Sequence, residues 1–307
     1  MLRSRLHLAA GLPLVPECPR SGPAVATDTF INILTSLSLT ANLKACFDAG
    51  DAASYGGSGT TVNDRSGTGV NLGFVGSPSF AGVAGAKDGT DYFDLGASDK
   101  LQLASMPAWS NVGTKGASFT LAAWVLPRQS GAVLGLMQDY TNGSSCASFN
   151  EFNAYNPGGG ALGPALAFAG CYGACSSIMN YGIQTAGQPV STLTWGCWSF
   201  VALSVAEGVA NGSFFYANGS YAPVNLQYTP GTSTGVGITP TNTVTLSYQT
   251  STTPQVANFI IGCADASARK ARVGGLLHWQ AASTSGGNLS KAQLDSIFAA
   301  TKARYGF

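Results

Sequence analysis

The sequence predicts an all-β protein: two antiparallel sheets packed as a sandwich, an N-terminal arm in front and a short helix behind. Three observations point there. Short segments alternate apolar and polar residues, most cleanly Thr243-Val244-Thr245-Leu246-Ser247-Tyr248-Gln249, where Val244, Leu246 and Tyr248 share one side. A period of two sets one face on a core and the other in water. Turn formers punctuate these segments, with 40 Gly and 14 Pro in 307 residues. A capped amphipathic helix signal closes the chain.

Residues 1–41 differ from the rest. Leu2 to Pro23 is rich in Pro and Arg and shows no alternation. Arg3 and Arg5, an apolar stretch and Ala24-Val25-Ala26 outline a secretion signal, but Pro13, Pro16, Glu17 and Arg20 break it, so no processed leader is expected. From Asp28, a candidate N-cap, Phe30, Ile33, Leu34 and Leu37 recur at helical spacing. They read either as a packed-down tail or as an anchor to a larger assembly, and the anchor is the reading carried forward.

Strand signals then accumulate from residue 42 to 307. Leu43 to Phe47 is the first. Tyr92 to Leu95 and Lys100 to Leu103 flank Gly96-Ala97-Ser98-Asp99 and read as a hairpin pair. Ser118 to Leu126 puts Phe119, Leu121, Ala123 and Val125 on one face. Trp198 to Val205 is apolar on both faces, as a central strand is. Ser213 to Ala217 runs into Asn218-Gly219, a strong hairpin-turn dipeptide. Asn258 to Cys263 and Val273 to Ala281 complete the set. Residues 141–189, with Gly158-Gly159-Gly160, and 221–241 read as long loops, where binding function commonly sits. Ser290 and Gln293 form a capping box, Leu289 and Leu294 a hydrophobic staple, and Leu294, Ile297 and Phe298 an apolar face. Lys302 and Arg304 stand where the negative helix end favours cations.

Only 9% of residues are charged, against roughly 25% in an ordinary domain. The surface is polar but nearly uncharged, with little charge repulsion to keep copies apart, so a homo-oligomer is expected. Net charge is +1, and the densest basic group, Arg269-Lys270-Ala271-Arg272, reads as a solvated turn between strands. Nucleic-acid binding, which needs many phosphate contacts, is not expected. No stretch reaches the length of a membrane span.

The seven cysteines, Cys18, Cys46, Cys146, Cys171, Cys175, Cys197 and Cys263, include no Cys-x-x-Cys pair, and the two histidines are His7 and His278. A zinc site is not expected. Cys171 and Cys175 could close a small disulfide, alone or with Cys146, or remain buried thiols; an odd count leaves at least one unpaired.

Together these segments resemble the concanavalin A-like jelly roll in its laminin-G-like form, from about Leu43 to Phe307. An early strand leads into Asp-x-Ser-Gly-x-Gly, matched by Asn63-Asp64-Arg65-Ser66-Gly67-Thr68-Gly69. A Phe-x-Thr-x-x-x-Trp-Val strand is matched by Phe119-Thr120-Leu121-Ala122-Ala123-Trp124-Val125. Trp198-Ser199-Phe200-Val201 and Phe215-Tyr216-Ala217-Asn218-Gly219 match a Trp-x-x-Val strand and its following hairpin. Gly274-Gly275-Leu276-Leu277 and Leu289-Ser290 match the closing strand and helix. The family spans lectins, adhesion modules, glucanases and domains on viral and phage particles, so the fold alone does not choose a function.

The residues narrow it. Retaining hydrolysis needs two carboxyls ~5 Å apart, which glucanases of this fold supply from Glu-x-Asp-x-x-Glu. Here the three glutamates are Glu17, Glu151 and Glu207, and no second acid follows Glu151. Asp91 and Asp94 fall on opposite faces of a strand. His278 lacks a nucleophile elbow and reads as structural. The resemblance implies calcium, for which Asp64, Asp88, Asp91 and Asp99 are the candidate ligands. Tyr140, Tyr155, Tyr172 and Trp195 are the candidate glycan-contact residues.

The expected function is therefore a non-enzymatic virion structural protein, capsid-decorating or tail-associated. Its arm (residues 1–41, anchored by Phe30, Ile33, Leu34 and Leu37) would meet other assembly proteins, and its lectin-like domain (42–307) a cell-surface glycan. The alternative is a secreted, extracellular carbohydrate-binding module.

Overall fold

The computed structural model describes residues 25, 27–96, 99–104, 118–127, 134–140, 149–155, 165–172, 177–182, 196–210, 212–223, 260–262 and 271–307. Two eight-stranded sheets carry the chain. The first contains β1 (Leu43–Asp48), β4 (Ser79–Ala81), β5 (Tyr92–Leu95), β7 (Ser118–Pro127), β12 (Ser199–Ala206), β13 (Phe214–Ala217), β14 (Ser220–Pro223) and β16 (Ala271–Ala281). Its order is β14-β13-β12-β7-β16-β5-β4, and β1 also pairs with β16. The second contains β2 (Thr61–Val62), β3 (Leu72–Val75), β6 (Lys100–Leu103), β8 (Leu134–Tyr140), β9 (Phe149–Tyr155), β10 (Ala165–Tyr172), β11 (Ser177–Gly182) and β15 (Ile260–Gly262). Its order is β11-β10-β9-β8-β15-β6-β3-β2. All pairings are antiparallel, as expected of a sandwich.

Two cores explain why the central strands carry no clean alternation. Between the sheets lie Phe47, Phe93, Leu101, Phe119, Leu203 and Phe215 with their neighbours. A second cluster covers the outer face of the first sheet, where Trp124, Phe200 and Trp279 meet Phe30, Leu34, Leu294 and Ile297 from two helices. These are α1 (Phe30–Ser36) and α2 (Lys291–Thr301). The architecture is thus three layers, and β7, β12 and β16 occupy the middle one. Every residue of β12 is buried.

Local signals were read well where they act over a few residues. Asn218 and Gly219 take φ of 48° and 92° in the β13–β14 turn, as a two-residue hairpin with right-handed twist requires. The box at α2 closes from both sides: Gln293 N donates to Ser290 Oγ at 3.3 Å and Ser290 N donates to Gln293 Oε1 at 2.8 Å.

Four expectations are corrected. β5 and β6 do not form a hairpin. β5 pairs with β4 and β16, β6 with β3 and β15. β5 lies in the first sheet and β6 in the second, so that Phe93 and Leu95 join Leu101 and Leu103 in one core. Asp99 accepts from Ser77 N and Gly96 N, each at 2.8 Å. Second, residues 149–182 include three strands that extend the second sheet, not one long loop. Each is held by ladder bonds to the strand before it, β9 to β8, β10 to β9 and β11 to β10. Third, Thr29, not Asp28, caps α1, accepting from Asn32 N, while Asp28 accepts from the Asn32 side chain at 2.9 Å. Fourth, Phe30, Ile33 and Leu34 are 2%, 7% and 0% exposed. With the partly buried Leu37 they pack on the sandwich, so these four side chains are core rather than an outward anchor, and the folded body begins ahead of residue 42. The alternating segment 243–249 lies outside the described residues.

His278 is fully buried, its Nε2 3.1 Å from Gln280 Oε1 and its ring 6.2 Å from Phe119. Burial pushes its pKa down to about 4 from 6.5. The unfolded chain therefore binds the extra proton between those values. The stability contributed by the neutral ring is full above about pH 6.5 and drains as pH falls toward about 4, roughly 3 kcal/mol in all. Denaturant midpoints at pH 7 and pH 4.5 should show it, with a shallower pH slope for His278→Asn. Equal slopes would remove the histidine from the account.

Candidate functional site

Of the residues singled out for glycan contact, Tyr140 and Tyr172 share one end of the second sheet and Tyr155 stands at the other. Tyr140 closes β8 opposite Phe149, and Phe149 is in turn opposite Cys171, one position before Tyr172. Tyr140 and Tyr172 therefore stand at the same end of the second sheet. Tyr155 pairs with Ala165 at the other end, the length of β9 away, ~20 Å. Trp195 lies outside the described residues.

The four aspartates proposed for calcium are not gathered into one group. Among the described residues no three His, Cys, Asp or Glu side chains are placed to hold a metal ion. Asp64 spends its oxygens on the chain around it. Oδ1 accepts from Cys46 N and Ser66 N; Oδ2 accepts from Ser66 Oγ, Thr68 N, Thr68 Oγ1 and Gly69 N. The Asp-x-Ser-Gly-x-Gly motif is thus a knot that ties a loop to β1. Asp88 accepts from Thr90 N and Oγ1, and that hydroxyl bond holds its carboxyl below the usual range. Asp91 is buried, accepts from Lys87 N, and lies 3.6 Å from Arg304 Nη2.

A different constellation sits on the outer face of the first sheet. Alternation places it there. Ala271 and Val273 turn into the core between the sheets, so Arg272 faces out; Phe93 and Leu95 turn inward, so Tyr92 and Asp94 face out beside it. Arg272 Cζ lies 4.5 Å from the centre of the Tyr92 ring, close enough for cation–π attraction. Tyr92 meets Trp198 edge-on at 5.9 Å and 64°, and Trp198 meets Tyr305 at 4.8 Å. Trp198 stands just ahead of β12, next to Cys197, which is disulfide-bonded. Asp94 Oδ2 is 3.8 Å from Arg272 Nε, with the two side chains 23% and 32% exposed. Tyr92, Arg272 and Asp94 thus share a half-open patch on paired strands, with Trp198 buried at 8% exposure behind Tyr92.

This group as a whole is not legible in the sequence, where the basic run 269–272 reads as a solvated turn; Arg272 instead belongs to β16. The signal was present in Ala271-Arg272-Val273, an apolar–charged–apolar triplet continuing into a known strand. What it lacked was the pairing partner that brings Tyr92 alongside.

No family model matches the chain, and no curated protein does. Solved structures do. The binding domain of botulinum neurotoxin DC in complex with SialylT matches with a TM-score of 0.50 at 9% identity, over 85% of this chain and 52% of that one. The botulinum neurotoxin serotype D binding domain gives the same values. This chain therefore spans about half the length of those it matches. At such identity the likeness shows the fold, an all-β sandwich.

Proposed function

We propose that this chain is a non-catalytic recognition domain that holds carbohydrate at its surface. The observation that carries this is the Tyr92–Arg272–Asp94 patch, backed by the buried Trp198. Sugars offer C–H faces to aromatic rings and hydroxyls to charged groups, and sites on strands hold such groups more precisely than loops do. Fold likeness to binding domains, one complexed with SialylT, supports the reading. So does the placement of the neighbouring acids: Asp91 faces Arg304 and Asp94 faces Arg272, rather than each other across a cleft.

The finer setting is a virion, with the chain decorating a capsid or associated with a tail; the nearly uncharged surface favours it. A secreted module is the second setting, favoured by the disulfide at Cys197, since such bonds persist in oxidising compartments. Sedimentation separates them: particle-bound chain supports the first, free chain in the medium the second.

A glycan array with the full chain, with and without chelator, tests the function. Binding to at least one sugar class is expected, weakened by Tyr92→Ala. Loss with chelator would bring calcium into the site. No binding to any sugar overturns the proposal.

A further inference from the structure

We infer that the sugar taken by this patch carries a negative charge, and that Arg272 reads it. The inference rests on the carbohydrate reading above and adds the class of ligand.

Two arginines of the chain stand in different surroundings. The outer nitrogens of Arg304 are satisfied, although its Nε, like that of Arg272, meets no acceptor. Its Nη2 and Nη1 donate to both oxygens of Asp48 at 2.6 and 3.3 Å, fully buried. The outer nitrogens of Arg272 are not so engaged. Its nearest acid is 3.8 Å away, beyond hydrogen-bond range. Its Nε is sealed from water with no acceptor, and no hydrogen bond engages its guanidinium among the described residues. The group nevertheless remains 32% exposed, so a ligand can reach it.

It is also held in place. The guanidinium lies over Tyr92, Tyr92 is braced by Trp198, and Trp198 by Tyr305. A planar fork held 4.5 Å over a ring keeps its outer donors available for a carboxylate or sulfate oxygen pair. Ordering an exposed arginine normally costs much of what its bonds return; here the stacking has ordered it beforehand. A neutral sugar would leave these donors half-used, whereas an anionic one satisfies them while its ring lies beside the partly exposed Tyr92. Asp94 lies on the Nε side, so it compensates charge without occupying the outer edge of the fork.

The test is quantitative binding of the full chain to neutral, carboxylated (sialic or uronic acid) and sulfated glycans on one array. Four proteins are compared: wild type, Arg272→Gln, Arg272→Lys and Lys291→Ala. Lys291 is a distant surface cation paired with Asp295 at 2.6 Å and controls for general charge. Acidic glycans should bind the wild type best, and Arg272→Gln should weaken them about tenfold or more. Arg272→Lys should fall between, keeping the charge but losing the fork, and Lys291→Ala should match wild type. The carboxylated and sulfated arms decide which anion is preferred. Neutral sugars bound as well as acidic ones, or acidic binding unchanged in both Arg272 variants, overturns this inference while leaving the carbohydrate reading intact. Absence of binding to every sugar overturns both. Should Arg272→Gln fail to fold, Arg272→Lys together with weakening of wild-type binding by salt keeps the outcome decisive.

Discussion

Replacing Arg304 by Met should cost about 3–5 kcal/mol, the range seen when one partner of a buried ion pair is removed. Its guanidinium is wholly buried between two acids, gripping Asp48 through both oxygens and lying 3.6 Å from Asp91. Without it two carboxyls stay in the interior with no cation. Asp48 also accepts from Phe30 N and Gly50 N, each at 2.9 Å, and Phe30 places its ring 4.8 Å from the Arg304 guanidinium. The pair therefore joins β1, the first turn of α1 and the C-terminal segment. No side chain at Gly50 would be tolerated, because a Cβ there would meet Arg304 and Asp91. By contrast Lys291–Asp295, about 40% exposed, should contribute less than about 1 kcal/mol. The measurement is a denaturant midpoint, with limited proteolysis ahead of Leu43 reporting release of α1. Adding Asp48→Asn to Arg304→Met should recover part of the loss, since it removes the stranded charge. A single-variant cost below about 1 kcal/mol would deny the pair its role.

Trp124→Ala should cost a similar amount, about 3–5 kcal/mol. Trp124 is 1% exposed and central to the outer layer. It stacks on Tyr305 at 4.2 Å and 20°, lies near Phe298 and Phe200 at 5.9 and 5.5 Å, and donates from Nε1 to Thr301 Oγ1 at 2.9 Å. One ring thus fastens the end of α2 and the closing turn (Lys302–Tyr305) to β7. Trp124→Phe keeps the stacking and loses the N–H, so it should cost only about 1–2 kcal/mol. Hydrogen exchange should show α2 protection falling before that of β12 in the Ala variant. Uniform loss across the sandwich, or a cost as small as that of the Phe variant, would contradict the fastening role.

Much of the scaffold was legible because it is written in short-range rules. Strand β7 follows from the alternation of Phe119, Leu121, Ala123 and Val125, the β13–β14 turn from Asn218-Gly219, and the start of α2 from Ser290 and Gln293. Trp124 was visible as a motif residue, though its partners were not. Helical spacing at Phe30, Ile33, Leu34 and Leu37 gave the helix correctly but not its use. An apolar face predicts burial without saying whether against the same chain or another.

The site was hardly legible at all. Tyr140, Tyr155 and Tyr172 have suitable chemistry in a glycine-rich stretch, but strand pairing sends them to two ends of a sheet. Nothing in the sequence neighbourhoods of Arg272 and Tyr92 links the two.

By itself, then, the sequence determined the periods, the turns, the caps and the scarcity of acids. Each depends on side chains two to four positions apart, whose geometry is set as soon as the local backbone is. Tertiary structure alone decided that β5 and β6 lie in different sheets, that Arg304 reaches Asp48 across 256 positions, and that Arg272 lies over Tyr92. Such contacts follow from which strand pairs with which. That choice is made by total burial across both cores, a quantity no short window of sequence contains.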